Sequence, residues 1–137
     1  MTEKVCNFWI EPADYRCILT SGAVGSDGTA SMDGGAALEA KKKFANIELD
    51  LGRALTAKGN HVHLLRPKLL SFPIKQYDWS GPDISVIERS ARELLDVVKE
   101  ATTLVPCPVG PQDGTPWQDV AARLAFLPDN IIIVKSA

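Results

Sequence analysis

A lysine and an aspartate, far apart in the sequence, are the side chains best suited to reaction chemistry. Lys75 ends an apolar, strand-like segment and is followed by Tyr77 and Trp79. A lysine in that position suits an anionic or covalently reacting site, although a surface lysine where a strand emerges is the commoner case. Asp113 suits the role of a base or a nucleophile, but Gln112-Asp113-Gly114 is also a good turn signal. For each residue, the sequence leaves both a reactive role and an ordinary structural role open.

A glycine-rich segment, residues 21–35, is a candidate anion-binding loop. It follows a predicted strand and leads into a predicted helix. Glycines at such a turn let backbone N–H groups point at an anion, and the helix dipole adds to the attraction. The segment is neither a P-loop nor a Rossmann fingerprint, because no Gly-Lys-Ser/Thr follows and Gly22, Gly25 and Gly28 are evenly spaced. The alternative interpretation is a flexible surface hairpin.

A second loop, residues 106–116, is rich in glycine and proline and also follows a predicted strand. Ligands of open α/β sheets bind beyond the carboxyl ends of the strands, so the two loops are expected to form the walls of one cleft. Asp33 argues against phosphate binding at its own position, because a carboxylate beside a diphosphate costs Coulomb energy. It is expected instead to cap the helix that follows the first loop. His61 and His63 are expected to be structural.

Alternating strand and helix signals predict an α/β fold. Strands are predicted at residues 5–10, 15–20, 61–66, 69–75, 102–105 and 131–134, and helices at residues 36–44, 47–58, 83–101 and 117–126. The helix at 83–101 has the clearest pattern, since Ile84, Ile87, Ala91 and Leu94 recur at helical spacing. Strands that alternate with helices predict helix layers around a mostly parallel or mixed sheet.

The composition fits one globular domain over residues 1–137, with 45% hydrophobic and 23% charged residues. The net charge of −2 argues against nucleic acid and anionic membrane as partners. The N-terminus does not read as a signal peptide, and no apolar stretch reaches membrane-spanning length. The three cysteines contain no Cys-x-x-Cys pair and are expected to be reduced thiols. We therefore expect a cytoplasmic protein that needs no metal and no cofactor.

Taken together, these segments resemble a macrodomain, and specifically a macrodomain-like group of bacteria and phages. Residues 20–22 (Thr-Ser-Gly) resemble that group's Thr-Asn-Gly, and residues 31–37 resemble its Met-Gly-x-Gly-x-Ala segment. Residues 106–117 resemble its Pro-x-Pro-Gly-Cys-Gly-x-x-Gly-x-x-Trp loop. Further matching segments are residues 41–44, 59–62, 70–75 and 87–91. The resemblance runs almost end to end, and the order and spacing of the pieces make it specific.

The resemblance implies a three-layer α/β/α sandwich with a mixed, mostly parallel central sheet. It also implies that the two loops clasp the diphosphate and distal ribose of ADP-ribose or a related nucleotide, which would reach the domain free or on an ADP-ribosylated macromolecule. The related terminal ADP-ribose protein glycohydrolase uses a lysine and an aspartate, which fall here at Lys75 and Asp113. The implied ligand-binding residues are Asn7, Ser21, Gly22, Met32, Gly34, Gly35, Ala36, Val109, Gly110 and Gly114.

The chain departs from the family pattern at three places. Ser21 replaces the asparagine of Thr-Asn-Gly, so one hydroxyl stands for a bidentate amide. Asn7 falls where the family has an adenine-binding aspartate, and an uncharged side chain accepts less strongly. Val109-Gly110-Pro111 replaces Gly-Cys-Gly, and its proline removes an amide donor. Two hypotheses follow: a binder of ADP-ribose, with or without hydrolase activity, and a catalytically silent domain that binds another small molecule or a protein.

Overall fold

The computed structural model describes residues 1–136 and contains one six-stranded sheet with helices on both faces. The strands are β1 (Thr2–Val5), β2 (Tyr15–Ser21), β3 (Leu64–Arg66), β4 (Leu69–Lys75), β5 (Thr103–Pro106) and β6 (Ile131–Lys135). The helices are α1 (Gly35–Lys43), α2 (Ile47–Lys58), α3 (Ile84–Val98) and α4 (Trp117–Arg123).

The sheet has the strand order β1-β6-β5-β2-β4-β3. Every pairing is parallel except that of β3 with β4, which is antiparallel. The central strand β2 pairs with β4 on one side and β5 on the other. Because parallel strands point the same way, β2, β4 and β5 all end at the same edge of the sheet. That edge is where a ligand site is expected.

Successive residues of the central strands point into two separate cores. Cys17 and Leu70 pack with α3 and α4, whereas Ile18 and Leu69 pack with α1 and α2. This alternation is the period-two pattern of a strand that is buried on both faces. The fold is therefore the predicted three-layer α/β/α sandwich with a mixed, mostly parallel sheet.

The helices follow the sequence predictions closely. The bounds of α2 are the predicted ones, and its last residue precedes Gly59, which has a positive φ. The α3 helix begins after Asp83, whose side chain accepts a hydrogen bond from the Ser85 N–H at 2.8 Å. Its buried residues recur at helical spacing and face β4 and β5. Within residues 1–136, no helix is both long and apolar enough to cross a membrane.

Two predicted strands are wrong in their bounds. A strand was expected at residues 5–10, but the first strand of the structure is β1. Most of residues 5–10 form a turn, in which the Glu11 N–H donates to the Asn7 carbonyl at 2.9 Å. All four β1 side chains are exposed at the sheet edge, so β1 has no hydrophobic alternation to detect. The predicted strand at 61–66 is reduced to β3, because His61 and His63 lie before it in side-chain hydrogen bonds.

Candidate functional site

A cleft of about 370 Å³ opens at the sheet edge where β2, β4 and β5 end. Thr20 and Ser21 line it from β2, Lys75 lines it from β4, and Cys107 follows β5. The start of α1 forms one wall, and residues 78–82 contribute the rim next to Lys75. A volume of this size lies within the range of small-molecule sites.

The first loop, residues 21–35, is a hydrogen-bonded hairpin. Val24 and Ala30 form an antiparallel bridge, and the Gly25 N–H donates to the Thr29 carbonyl at 2.8 Å. The Ala30 N–H donates to the carbonyl of Glu48 in α2, also at 2.8 Å. The loop is therefore a hairpin, as in the alternative interpretation, and it is fastened to a helix of the core.

Gly52 in α2 is what permits this close approach. A Cβ atom at Gly52 would lie 1.9 Å from the carbonyl oxygen of Gly28 and 3.0 Å from its carbonyl carbon. Only a residue without a side chain lets the hairpin lie against α2 at this distance. The position of the cleft wall thus depends on a glycine that is itself outside the cleft.

The end of the first loop presents backbone to the cleft. Gly34 is the residue before α1, and among the described residues no side chain caps the helix. Gly35 has φ +55°, which favours glycine because a Cβ is strained there. The prediction that Asp33 caps the helix is wrong, since its carboxylate instead accepts from the Ser31 hydroxyl at 2.8 Å. Gly34, Gly35 and Ala36 therefore face the cleft as main chain.

A register shift delivers Lys75 to the cleft. Thr20 is paired with Pro73, but Ser21 is paired with Lys75, so one extra residue of β4 is inserted between the two pairs. Such irregularities re-aim a side chain at the end of a strand. The Lys75 Nζ donates to the Asp78 carbonyl at 3.0 Å, which holds the amine beside the rim of the cleft.

Asp113 closes the second loop on itself. Its carboxylate accepts from the Gly110 N–H at 2.6 Å, and its own N–H donates to the Gly110 carbonyl at 3.1 Å. Pro111 lies inside this turn and has no N–H to offer. Asp113 is therefore a turn residue that also lines the cleft.

Carboxylates outnumber cations among the cleft-lining side chains. Among residues 1–136, Asp33, Asp78 and Asp113 line it together with a single cation, Lys75. Carboxylates accept hydrogen bonds from sugar hydroxyls but repel phosphates. The cleft therefore favours the sugar part of a ligand more than its phosphates, whose binding must come from backbone N–H groups and Lys75.

Cys107 is the thiol nearest the candidate chemistry. It lines the cleft, and its Sγ contacts the Val109 carbonyl oxygen at 3.4 Å. Burial raises the pKa of the Cys107 thiol above its ordinary value. A thiol with a raised pKa is mostly protonated at neutral pH and is a poor nucleophile.

The structure brings most of the predicted site residues together. Those that line the cleft are Ser21, Met32, Gly34, Gly35, Ala36, Lys75, Gly110 and Asp113. Four predicted ligand residues are not among the residues that line it: Asn7, Gly22, Val109 and Gly114. The Asn7 side chain accepts from the Trp9 N–H at 3.1 Å, and Val109 packs in the core of the α3 side.

Sequence reasoning missed other features of the site. Thr20 lines the cleft and is 4% exposed, and the signal for it was its place in the Thr-Ser-Gly segment. Trp79 is 80% exposed and stacks on Tyr77 with ring centroids 5.1 Å apart. His61 has an acidic partner that the local sequence could not reveal, because Glu93 lies in α3 at 2.7 Å from its Nδ1.

Comparison with known structures identifies the fold. No protein-family model matches the chain, and no curated protein matches it either. The macrodomain of Thermus aquaticus DarG superposes with a TM-score of 0.74 at 16% identity, over 99% of this chain and 97% of that one. The macrodomain of Mycobacterium tuberculosis DarG also gives 0.74, at 18% identity, over 99% and 97% of the two chains.

A third structure, Thermosipho africanus DarTG in complex with ADP-ribose, gives a TM-score of 0.71 at 15% identity. The match covers 94% of this chain and 39% of that one. The class of the protein is thus an α/β/α domain with a cleft at the carboxyl ends of its parallel strands. Within that class, the chain has the macrodomain fold, as the resemblance of its motifs implied.

Proposed function

We propose that the domain binds ADP-ribose, or a closely related nucleotide, in the cleft between its two loops. One observation carries the proposal: the chain has a macrodomain fold with an open cleft at the strand ends, and a structure of the same fold is described in complex with ADP-ribose. The size of the cleft and its mixture of backbone, hydroxyl and carboxylate groups suit a ligand with a sugar and a diphosphate.

In this proposal, the first loop binds the diphosphate. Gly34, Gly35 and Ala36 offer main chain at the start of α1, where N–H groups and the helix dipole favour an anion. Ser21 is 5% exposed, and its hydroxyl accepts from the Ala23 N–H at 3.3 Å, so the hydroxyl proton is available to a ligand oxygen. Lys75 adds a positive charge to the lining of the cleft.

Isothermal titration calorimetry with ADP-ribose tests the binding proposal. We expect saturable heat with a 1:1 stoichiometry for the wild type. Ala36→Glu should abolish it, because a carboxylate at the first turn of α1 repels the diphosphate while remaining compatible with the helix dipole. Ala36→Gln has nearly the same size without the charge and is the matched control. Absence of heat with wild-type protein at about millimolar ligand, about −4 kcal/mol of binding free energy, would refute the proposal.

We further propose that the cleft hydrolyses ADP-ribose from an ADP-ribosylated macromolecule. The Lys75 ammonium would first give a proton to the Asp113 carboxylate; its amine would then attack ribose C1″, and the bond from C1″ to the modified group would break with its electron pair. Asp113 in its acid form would give a proton to the leaving group, and water would then release the ADP-ribose. This requires the Lys75 Nζ to leave the Asp78 carbonyl and Asp113 to leave the Gly110 N–H.

Release of ADP-ribose from a modified substrate tests the hydrolysis. Lys75→Ala and Asp113→Ala should each reduce turnover by about 100-fold or more, in the range that acid–base catalysis contributes. Lys75→Arg keeps the charge but lacks a reactive amine, so it should bind ADP-ribose and not turn over. Unchanged turnover in the alanine variants would contradict the assigned roles. Binding without turnover in the wild type would restrict the function to binding.

A second candidate is a catalytically silent macrodomain that binds a different small molecule or a protein. Two observations favour it: three carboxylates against one lysine line the cleft, and the Gly110 N–H is already taken by Asp113. Both weaken a diphosphate cradle. A folded wild-type protein that gives no heat with ADP-ribose would favour this candidate.

The cellular setting belongs to the same proposal. The cysteines Cys6, Cys17 and Cys107 are free, and burial raises the pKa of the Cys17 thiol far above its ordinary range. Free, poorly reactive thiols fit a reducing compartment, so we propose that the domain works in the cytoplasm of a bacterium or a bacterium infected by a phage.

A further inference from the structure

Thr20 carries a buried hydroxyl group that has no partner within the described part of the protein. The residue is 4% exposed, and its Oγ1 makes no hydrogen bond with any of residues 1–136. It lies next to the last residue of β2 and lines the cleft. A buried polar group without a partner costs free energy and calls for an explanation.

The other buried serine and threonine side chains of the described residues have partners. They are Ser21, which accepts from the Ala23 N–H at 3.3 Å, Ser71, which accepts from the His63 N–H at 2.9 Å, Ser90, which donates to the Pro73 carbonyl at 2.6 Å, and Thr103, which donates to the Ala101 carbonyl at 3.0 Å. Among the described residues, Trp9 Nε1 and Asn60 Oδ1 are also buried without a partner, but neither residue lines the cleft, whereas Thr20 does. Its hydroxyl is therefore arranged for a group that arrives with the ligand.

The surroundings indicate which ligand group this is. Thr20 immediately precedes Ser21, the register partner of Lys75, so it belongs to the end of the cleft where Lys75 acts. A threonine hydroxyl donates one hydrogen bond and accepts others, as a sugar hydroxyl does. The carboxylates that line the cleft also prefer hydroxyl donors to phosphates.

We propose that Thr20 is a ligand-binding residue whose hydroxyl exchanges a hydrogen bond with a hydroxyl of the distal ribose. This inference rests on the proposed function, since it takes ADP-ribose as the ligand. It assigns to Thr20 the specificity for the distal sugar, beyond the diphosphate contacts of the first loop. ADP, which lacks that sugar, should not sense the Thr20 hydroxyl.

Thr20→Val is the informative variant, because valine has nearly the same shape and lacks only the hydroxyl. Removing an unpartnered hydroxyl should leave the melting temperature of the free protein unchanged or raise it. A fall of about 3 °C or more would mean that the hydroxyl is satisfied within the free protein and would overturn the inference.

Calorimetry with two ligands completes the test. The affinity of Thr20→Val for ADP-ribose should fall by about 5- to 30-fold, the effect of leaving one ligand hydroxyl unpaired, and its affinity for ADP should equal that of the wild type. Thr20→Ser keeps the hydroxyl and should retain the wild-type affinity for ADP-ribose, even if the lost methyl group lowers its melting temperature.

The failures of the two proposals are distinguishable. Wild-type protein that does not bind ADP-ribose refutes the proposed function and this inference with it. Wild-type binding together with equal ADP-ribose affinity in Thr20→Val refutes only the role of Thr20. An equal loss of ADP and ADP-ribose affinity in Thr20→Val would contradict the assignment to the distal ribose.

Discussion

The two loops that flank the cleft are built in different ways. The first loop, residues 21–35, is fastened to the rest of the protein through the Ala30 N–H, which donates to Glu48, and through the contact of Gly28 with Gly52. The second loop, residues 106–116, is closed on itself by the carboxylate of Asp113 on the Gly110 N–H. The hydrogen bonds of the first loop fix its position against α2, whereas those of the second loop stabilise its own turn.

Because of this difference, we expect the two loops to contribute unequally to ligand binding. The first loop ends in main chain that no described side chain caps at the start of α1, so its donors are available to an anion. The second loop has already supplied its own anion, because Asp113 occupies the Gly110 N–H as a ligand phosphate would. We therefore expect most of the phosphate affinity to come from the first loop.

The largest effect should come from breaking the anchor of the first loop with Gly52→Ala. A Cβ at this position meets the Gly28 carbonyl oxygen at 1.9 Å, so the hairpin must move away from α2. We expect a loss of about 1–3 kcal/mol in the free energy of unfolding, as for other overpacked sites. The affinity for ADP-ribose should fall at least about tenfold. Urea denaturation and calorimetry measure the two effects.

Gly114→Ala is the matched control in the second loop. A Cβ at Gly114 would meet nothing within 4 Å in the described part of the chain, so its stability should change by less than about 0.5 kcal/mol. If Gly52→Ala were as stable as Gly114→Ala and bound equally well, the proposed anchoring of the first loop would be wrong.

A smaller effect of opposite sign is expected from Asp113→Asn. The amide oxygen can still accept from the Gly110 N–H, so the turn is kept while its negative charge is removed. Affinity for ADP-ribose should rise by about fivefold, roughly 1 kcal/mol, because the repulsion between the Asp113 carboxylate and the diphosphate is removed. Turnover, where present, should fall, because asparagine cannot transfer the proton.

Asp96→Asn removes an exposed carboxylate on α3 and controls for the change in net charge. It should leave ADP-ribose affinity within about twofold, because exposed charges beyond the Debye length are screened. Weaker ADP-ribose binding by Asp113→Asn would show that Asp113 supports the ligand instead of competing with it.

A lesser effect is expected from alkylation of Cys107, where the second loop begins. Burial raises the pKa of this thiol, so its reaction with iodoacetamide at neutral pH should be slower than that of a free thiol and should accelerate as the pH rises. Cys107→Ser should leave turnover within about threefold, far below the loss that removal of a catalytic nucleophile brings. Loss of turnover in this variant would make Cys107 part of the chemistry.

The smallest effect concerns Glu3, which joins β1 to α4 and β6. The Trp117 indole N–H donates to the Glu3 carboxylate at 2.8 Å, and Lys135 lies 3.1 Å from it. The Trp117 hydrogen bond and then Lys135 lower the pKa of Glu3. The contribution of ionised Glu3 to stability is therefore complete above its unfolded pKa and is lost as the pH falls through the lower folded pKa.

Glu3→Gln should lower the free energy of unfolding at pH 7 by less than about 1 kcal/mol, because the pair is exposed. The difference from the wild type should shrink at an acidic pH, once the pH has fallen through the lowered folded pKa of Glu3 and the carboxyl group is neutral in both the folded and the unfolded protein. Urea denaturation at the two pH values measures it. A difference that grows on acidification would have the wrong sign for this account.

Much of the fold could be predicted because its signals are local. The α3 pattern and the bounds of α2 follow from apolar spacing and the Gly59 stop signal, and β4 follows from its apolar run. The strand predicted at residues 5–10 was wrong, because the apolar side chains of Phe8 and Trp9 serve tertiary packing and not a strand. Trp9 lies against Phe44 at the end of α1, so its hydrophobicity signals a packing contact instead of a strand.

The site was predictable where it depends on chain order and not where it depends on contacts across the fold. Lys75 and the two loops meet because parallel strands end together, which the order of elements implies. The fastening of the first loop by Gly52 and the unpartnered Thr20 hydroxyl depend on neighbours distant in sequence. The hydrogen bond between the Gly110 N–H and the Asp113 carboxylate joins residues close in sequence, and the turn signal at residues 112–114 indicated it.

The most direct test of the account is a crystal structure of the wild-type protein soaked with ADP-ribose. The account predicts the diphosphate against the main chain of residues 34–36, with the distal ribose between Lys75 and Thr20 and the Asp113 turn displaced or intact beside it. A cleft that stays empty while ADP-ribose binds elsewhere, or a diphosphate held mainly by the second loop, would contradict the central claim that the first loop binds the phosphates.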